Sequence, residues 1–182
     1  MPSLSTAQMR VPVVTASAVE EFARGGFHGT TVADVARAAR ISPAYVFKLF
    51  PSKERLFVAA LDDCFRQIVE TLGVAADGAA GGPPDGILDA MGGAYAELIA
   101  DRSLLMLQVH AQSVADIPEV GQALRAGLAT VVRLAKTRSG ASDEAVQRFV
   151  AVGQLCHLIV TSGIEDVPDE WASILTAGIR HP

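Results

Sequence analysis

Three helix-start signals fall between Thr31 and Ser52, and their spacing constrains this chain more than any other feature. Thr31 with Asp34 three residues on has the spacing of a capping box, Asp standing where Glu is usual. Ser42-Pro43 pairs a capping hydroxyl with a proline at the first helical position, where the missing N–H would have no partner anyway. Pro51-Ser52 opens a third segment. The signals leave room for two short helices, predicted over 32–39 and 43–49, with Arg40-Ile41 in the turn between them. A long helix over 53–72 follows, because Leu56, Phe57, Ala60, Leu61, Cys64, Phe65, Ile68 and Leu72 keep helical spacing. Ahead of the signals, Val14, Ala18 and Phe22 form a stripe at i, i+4, i+8. They predict a helix over 11–24, with Pro12 in its first turn and Gly25-Gly26 as its stop.

The rest of the chain carries the same helical signature. No sustained two-residue alternation and no Asn-Gly or Asp-Gly hairpin is present. Residues 73–86, GVAADGAAGGPPDG, have the composition of a flexible loop. Further helices are expected near 87–100, 103–115, 119–138, 143–162 and 168–179. The fold class is all-α, divided into residues 1–52 and 53–182.

At 50% hydrophobic and 19% charged residues, the chain of 182 is no disordered solvating segment. Apolar runs such as 155–160 fall well short of the ~20 residues a bilayer span needs. No basic stretch followed by an apolar run opens the sequence, so a cytoplasmic protein is expected, with no membrane partner. Cys64 and Cys156 are too few for a disulfide framework and lack metal-ligand spacing.

Two short helices joined by a tight turn and followed by a long helix describe a helix-turn-helix. In that motif the N-terminal residues of the second helix face the base edges of the major groove. Here Pro43, Ala44, Tyr45 and Lys48 share the leading face, while Val46, Leu49 and Phe50 would anchor the other on Val35, Ala39 and Leu56. Helix starts at Thr31 and at Ser52-Lys53 offer N–H groups and side chains to phosphates. Charge agrees: residues 1–56 hold seven Lys or Arg against four Asp or Glu, and the remainder eight against 16. An anion-binding head on an acidic body is the arrangement implied.

The stretch FARGGFHGTTVADVARAARISPAYVFKLFPSKERLF resembles the DNA-binding domain of TetR-like (tetracycline-repressor-like) regulators. The likeness rests on Phe22-Ala23, Gly26-Phe27, Gly29-Thr30-Thr31-Val32, Asp34-Val35-Ala36, Ala39, Ile41-Ser42, Phe50 and Ser52-Lys53-Glu54. It implies a homodimer on double-stranded DNA, each subunit joining an N-terminal helix-turn-helix domain to a C-terminal helical domain for ligand binding and dimerisation. A small-molecule effector usually relieves repression. Carried over by position, Thr31, Tyr45, Lys48 and Lys53 are the expected DNA contacts, with Arg40, Ser42, Pro43 and Ala44 beside them. The chain departs from the family pattern at Glu21, at Arg40 (often Gly), and at Phe47 and Leu49 (often Tyr and His). A left-handed Arg40 would be strained by roughly 1–2 kcal/mol.

The body has no equally sharp motif. Gln108, His110 and Gln112 interrupt the apolar segment 103–115. They either bond to neighbouring backbone or, with Phe65, Met91, Tyr95, Met106, Leu128 and Phe149, line a ligand cavity, since such cavities are mostly apolar with a few placed polar groups. His110 is the polar member carried into the candidate ligand set. The resemblance puts the dimer interface on the last two helices, 143–162 and 168–179. No catalytic residue, cofactor or metal site is expected: Cys156-His157 diverge by about 100° on a helix, and the histidines lack ligand spacing. The competing reading is a small-molecule-binding helical scaffold whose head has lost sequence specificity.

Overall fold

The structure is a computed structural model and describes residues 6–179. Those residues contain nine α-helices, one 3-10 turn and no strand. The helices are α1 (Thr6–Gly29), α2 (Val32–Ala38), α3 (Pro43–Leu49), α4 (Lys53–Gly78), α5 (Pro84–Leu98), α6 (Arg102–Ser113), α7 (Pro118–Ser139), α8 (Asp143–Ser162) and α9 (Glu170–Thr176). The 3-10 turn is Ile164–Asp166. The all-α class and the N-terminal helix-turn-helix are as the sequence predicts.

Two compact units divide the chain. One comprises the stretch ending at Phe65 together with Ser103–Gly127; the other is Arg66–Arg102 with Leu128 onward. In the first, α1, α2 and α3 pack on one another. Their core is aromatic: Phe22 and Phe27 each meet the Phe57 ring edge-on, at 4.9 and 5.4 Å between centroids. Val35, Val46, Leu56 and Leu61 are fully buried around it. The helix α1 is broken at Gly26, whose φ of 66° a glycine adopts without steric penalty. At the same place His110 of α6 bonds the Ala23 carbonyl at 3.2 Å, and a Cβ on Gly26 would sit 3.0 Å from the imidazole. Later, α7 passes α4 at Gly127, where any Cβ would overlap the Phe65 ring.

In the second unit α5 packs on α8, and α8 on the 3-10 turn and α9. Ile159, Ile164 and Ala172 form a buried cluster flanked by Leu155, Val167, Leu175 and Ile179. Arg102 donates to the Val160 carbonyl at 3.0 Å, and Arg138 pairs with Asp77 at 2.6 Å.

Several boundaries differ from the sequence reading. The first helix begins at Thr6, so Pro12 lies in its second turn. That costs one rung of the ladder, which burial of Val14 and Ala18, two and six residues later, offsets. The loop expected over 73–86 narrows to 79–83, because α4 continues to Gly78 and α5 starts at Pro84. Leu72 and Ala76, four apart and both buried, hold that extra turn, and Pro84 has the fixed φ that suits a helix start. The last helix is shorter than 168–179: Asp169 caps it, and Ala177 leaves helical geometry with ψ 121°.

Candidate DNA-binding surface

The turn between α2 and α3 sets the angle of α3. The Ile41 N–H donates to the Ala36 carbonyl at 3.0 Å and the Arg40 N–H to the Arg37 carbonyl at 3.2 Å. This pair of bonds is a Schellman motif, which needs a left-handed residue at its centre. That residue is Arg40, with φ 54°, the one non-glycine among the described residues with positive φ. The left-handed position raised by the sequence is therefore real, and it carries a side chain.

Ser42 then starts α3, its Oγ accepting the Tyr45 N–H at 3.2 Å, with Pro43 in the first turn. Val46 is fully buried, as its anchoring role requires, while Leu49 and Phe50 are half-buried. Pro43, Ala44 and Lys48 are exposed, Tyr45 is half-buried, and Phe47 is 49% exposed. Arg40 and Lys48 enter no ion pair among the described residues.

Thr31 is more committed than the sequence suggests. Its Oγ accepts the Asp34 N–H at 3.2 Å and donates to Asp34 Oδ2 at 2.6 Å, while its own N–H donates to the same oxygen at 2.9 Å. Those bonds, from the Thr31 hydroxyl first and then its backbone, with the Arg37 guanidinium added, hold the Asp34 carboxyl down to about 2. The capping box is complete, and its carboxylate is ionised where a phosphate would approach. At the start of α4, Ser52 Oγ accepts the Arg55 N–H at 3.2 Å. Lys53 Nζ lies 4.6 Å from the centre of the Phe27 ring, a cation–π contact that fixes the ammonium beside the helix start. Glu54 has its carboxyl lowered by its own backbone N–H and by Ser52.

The eight proposed DNA contacts therefore lie on one stretch of the first unit, from the α2 cap through the turn and α3 to the first residue of α4. The ligand set is divided between the units. Phe65, Met106 and His110 are in the first; Met91, Tyr95, Leu128 and Phe149 are in the second. His110 is occupied by the α1 backbone, and Gln108 donates to the Leu104 carbonyl at 3.1 Å. In the second unit Tyr95 Oη lies 2.6 Å from His157 Nε2. His157 is only 4% exposed, and its Nδ1 is buried without a hydrogen-bond partner. Burial pushes its pKa down to about 4. The sequence reading passed over His157 because it was weighed only as a partner of Cys156 and as a metal ligand. The available signal was its helical register with buried Val146 and Val160. Neither cysteine has a reactive environment: burial raises both thiols, Cys64 to about 12, and its Sγ–H points at the Leu104 carbonyl at 3.5 Å.

No helix among the described residues is long and apolar enough to cross a membrane. Residues 14–60 match the sequence model described as bacterial regulatory proteins, tetR family. No curated protein sequence matches the chain. Among solved structures, the transcriptional regulator FadR from Bacillus subtilis in complex with stearoyl-CoA is similar with a TM-score of 0.71 at 16% identity, over 93% of this chain and 99% of that one. A TetR-family transcriptional regulator from Agrobacterium tumefaciens gives 0.69 at 19%, over 94% of each chain. The fatty acid degradation regulator FadR from Bacillus halodurans gives 0.66 at 15%, over 100% of each. At such identities the likeness to these structures is one of fold.

Proposed function

We propose that this chain, which belongs through residues 14–60 to the TetR family of bacterial regulatory proteins, is a repressor that binds a palindromic operator as a homodimer and is released by a small molecule. The observation that carries the reading is the exposed leading face of α3, framed by Arg40 before it and Lys53 after it. In this reading Pro43, Ala44 and Tyr45 meet base edges. Thr31, Arg40, Lys48 and Lys53 meet phosphates, and Ser42 holds the start of α3 in place. Two copies related by a two-fold axis would set their α3 helices ~34–36 Å apart, one turn of the duplex.

The effector proposed has an apolar body and one hydrogen-bonding group. The polar anchor offered by the second unit is the Tyr95–His157 pair, with Met91 and Phe149 as apolar neighbours on the same two helices. The stearoyl-CoA held by the Bacillus subtilis neighbour makes long-chain acyl thioesters the first class to try. Helix α4 runs from one unit into the other and is the element through which binding in the body would reach the head. A tenfold change in operator occupancy needs a coupling of ~1.4 kcal/mol.

The test is binding of the purified protein to DNA flanking its own gene against random DNA at ~150 mM salt, where phosphate-only binding is largely suppressed. Specific binding, weakened by Tyr45→Ala or Lys48→Ala, is the expected result. Lys53→Ala should weaken all sequences alike and reduce the log–log salt slope by about 1. Equal affinity for every duplex, including duplexes selected from a random pool, would sink the operator reading and favour the scaffold alternative.

A further inference from the structure

The exposed side chains of α3 are unusual for a helix that reads bases. Direct readout of the major groove relies on bidentate side chains: Arg or Lys on guanine, Asn or Gln on adenine, and carboxylates on cytosine. Of these the α3 segment PAYVFKL contains only Lys48, which the operator reading assigns to a phosphate. Ser42, the hydroxyl just before it, already accepts the Tyr45 N–H. What α3 presents instead is an apolar patch. Pro43 and Phe47 are four residues apart, and Ala44 and Phe47 three, so the three side chains adjoin on one face. All three are exposed, Phe47 by 49%. A half-exposed phenyl ring on a seven-residue helix gains nothing in the free protein.

Base edges in the major groove offer one group that an apolar patch can recognise, the 5-methyl of thymine. Resting on the operator reading above, we propose that α3 selects its half-site through thymine methyl groups, with Phe47 the specificity-determining side chain and Ala44 beside it. The occupant is DNA and not an apolar protein surface because Arg40, Lys48 and Lys53 flank the patch in sequence, in a segment that is net basic within an acidic chain. Tyr45 and Lys48 supply the polar contacts next to the patch. The operator should accordingly be rich in A·T pairs where α3 enters, with thymine fixed on one strand.

The experiment uses the full-length protein and duplexes selected from a random pool. In the enriched operator each thymine of the half-site is replaced singly by deoxyuridine, which removes the 5-methyl and leaves the hydrogen-bonding edge intact. At one or two thymines, binding should weaken about fourfold, the value of one buried methyl. Phe47→Ala should bind the thymine operator about as weakly as the parent binds the uridine operator at that position. It should then lose nothing further on uridine substitution there. Because Phe47 is exposed, the variant's thermal unfolding should match the parent's, so a lost affinity reports contact and not folding. Uridine substitution without effect at every position, or an equal loss in the parent and in Phe47→Ala, overturns the proposal while leaving the operator reading intact. Failure to enrich any duplex overturns both.

Discussion

Arg40 is the residue at which the needs of the turn and of the surface conflict. The Schellman turn between α2 and α3 asks for a left-handed residue, and φ 54° at Arg40 places a Cβ where one is disfavoured. Replacing it with glycine removes that penalty, less the extra freedom glycine gives the unfolded chain. Arg40→Gly should therefore raise unfolding stability by about 1 kcal/mol, read as a higher midpoint in urea at unchanged slope. If Arg40 is kept for its charge, the same variant should bind DNA more weakly. A variant no more stable than the parent would show that the turn is not strained at this residue. The sequence exposed the conditional half of this argument, since Arg40 stands where related chains often have glycine. It could not supply the dihedral, which is set by the hydrogen bonds of Arg40 and Ile41 to the preceding turn.

Between elements, α5 and α8 are tied by Tyr95 and His157. The imidazole is neutral when folded, with a pKa near 4, whereas in the unfolded chain it titrates near its ordinary value of about 6.5. A histidine lowered on folding contributes stability fully above the unfolded value. As pH falls through 6.5 the unfolded chain takes up a proton that the folded one refuses, and stability drops until pH reaches about 4. The loss across that window is about 3 kcal/mol at most. His157→Gln, which cannot titrate, should flatten the fall in unfolding free energy between pH 6.5 and 4 while lowering stability at pH 7, where the 2.6 Å bond between Tyr95 and the imidazole is lost. An unchanged slope in the variant would assign the pH dependence to other groups. Elements of this kind are only partly legible in sequence. Caps are local, so Thr31-Asp34 and Ser42-Pro43 announced α2 and α3 correctly. The Gly- and Ala-rich run after Leu72 read as loop because composition outweighed the periodicity of Leu72 and Ala76. The burial of His157 depends on a helix far away in sequence, and no spacing rule contains it.

At the scale of the whole molecule, the second unit leaves apolar surface that a lone chain has no reason to expose. On α8, Ala151, Leu158 and Ser162, all exposed, follow one another at i, i+7 and i+11, away from the buried Val146, Cys156 and Val160. Leu158 is half-exposed, and on α9 Ile174 is 68% exposed with Trp171 three residues before it. Such a stripe of small and branched residues along a helix is the surface a two-fold helix pair needs. A stable interface buries about 1,600 Å² in total, so both helices must take part. The proposed dimer therefore predicts that Leu158→Glu with Ile174→Glu converts the protein to a monomer in sedimentation. Each substitution adds negative charge to a segment that already carries Glu165, Asp169 and Glu170, so two copies brought together there would repel. Both positions are exposed within the chain, so far-UV helicity should survive. Operator binding should fall by about 100-fold or more, because the second half-site is no longer engaged intramolecularly. On a duplex carrying one half-site, parent and variant should bind alike, since the α3 surface is untouched. A variant that still sediments as a dimer would move the interface elsewhere on the chain. A monomeric variant that keeps full operator affinity would remove the two-fold requirement from the proposed mechanism altogether.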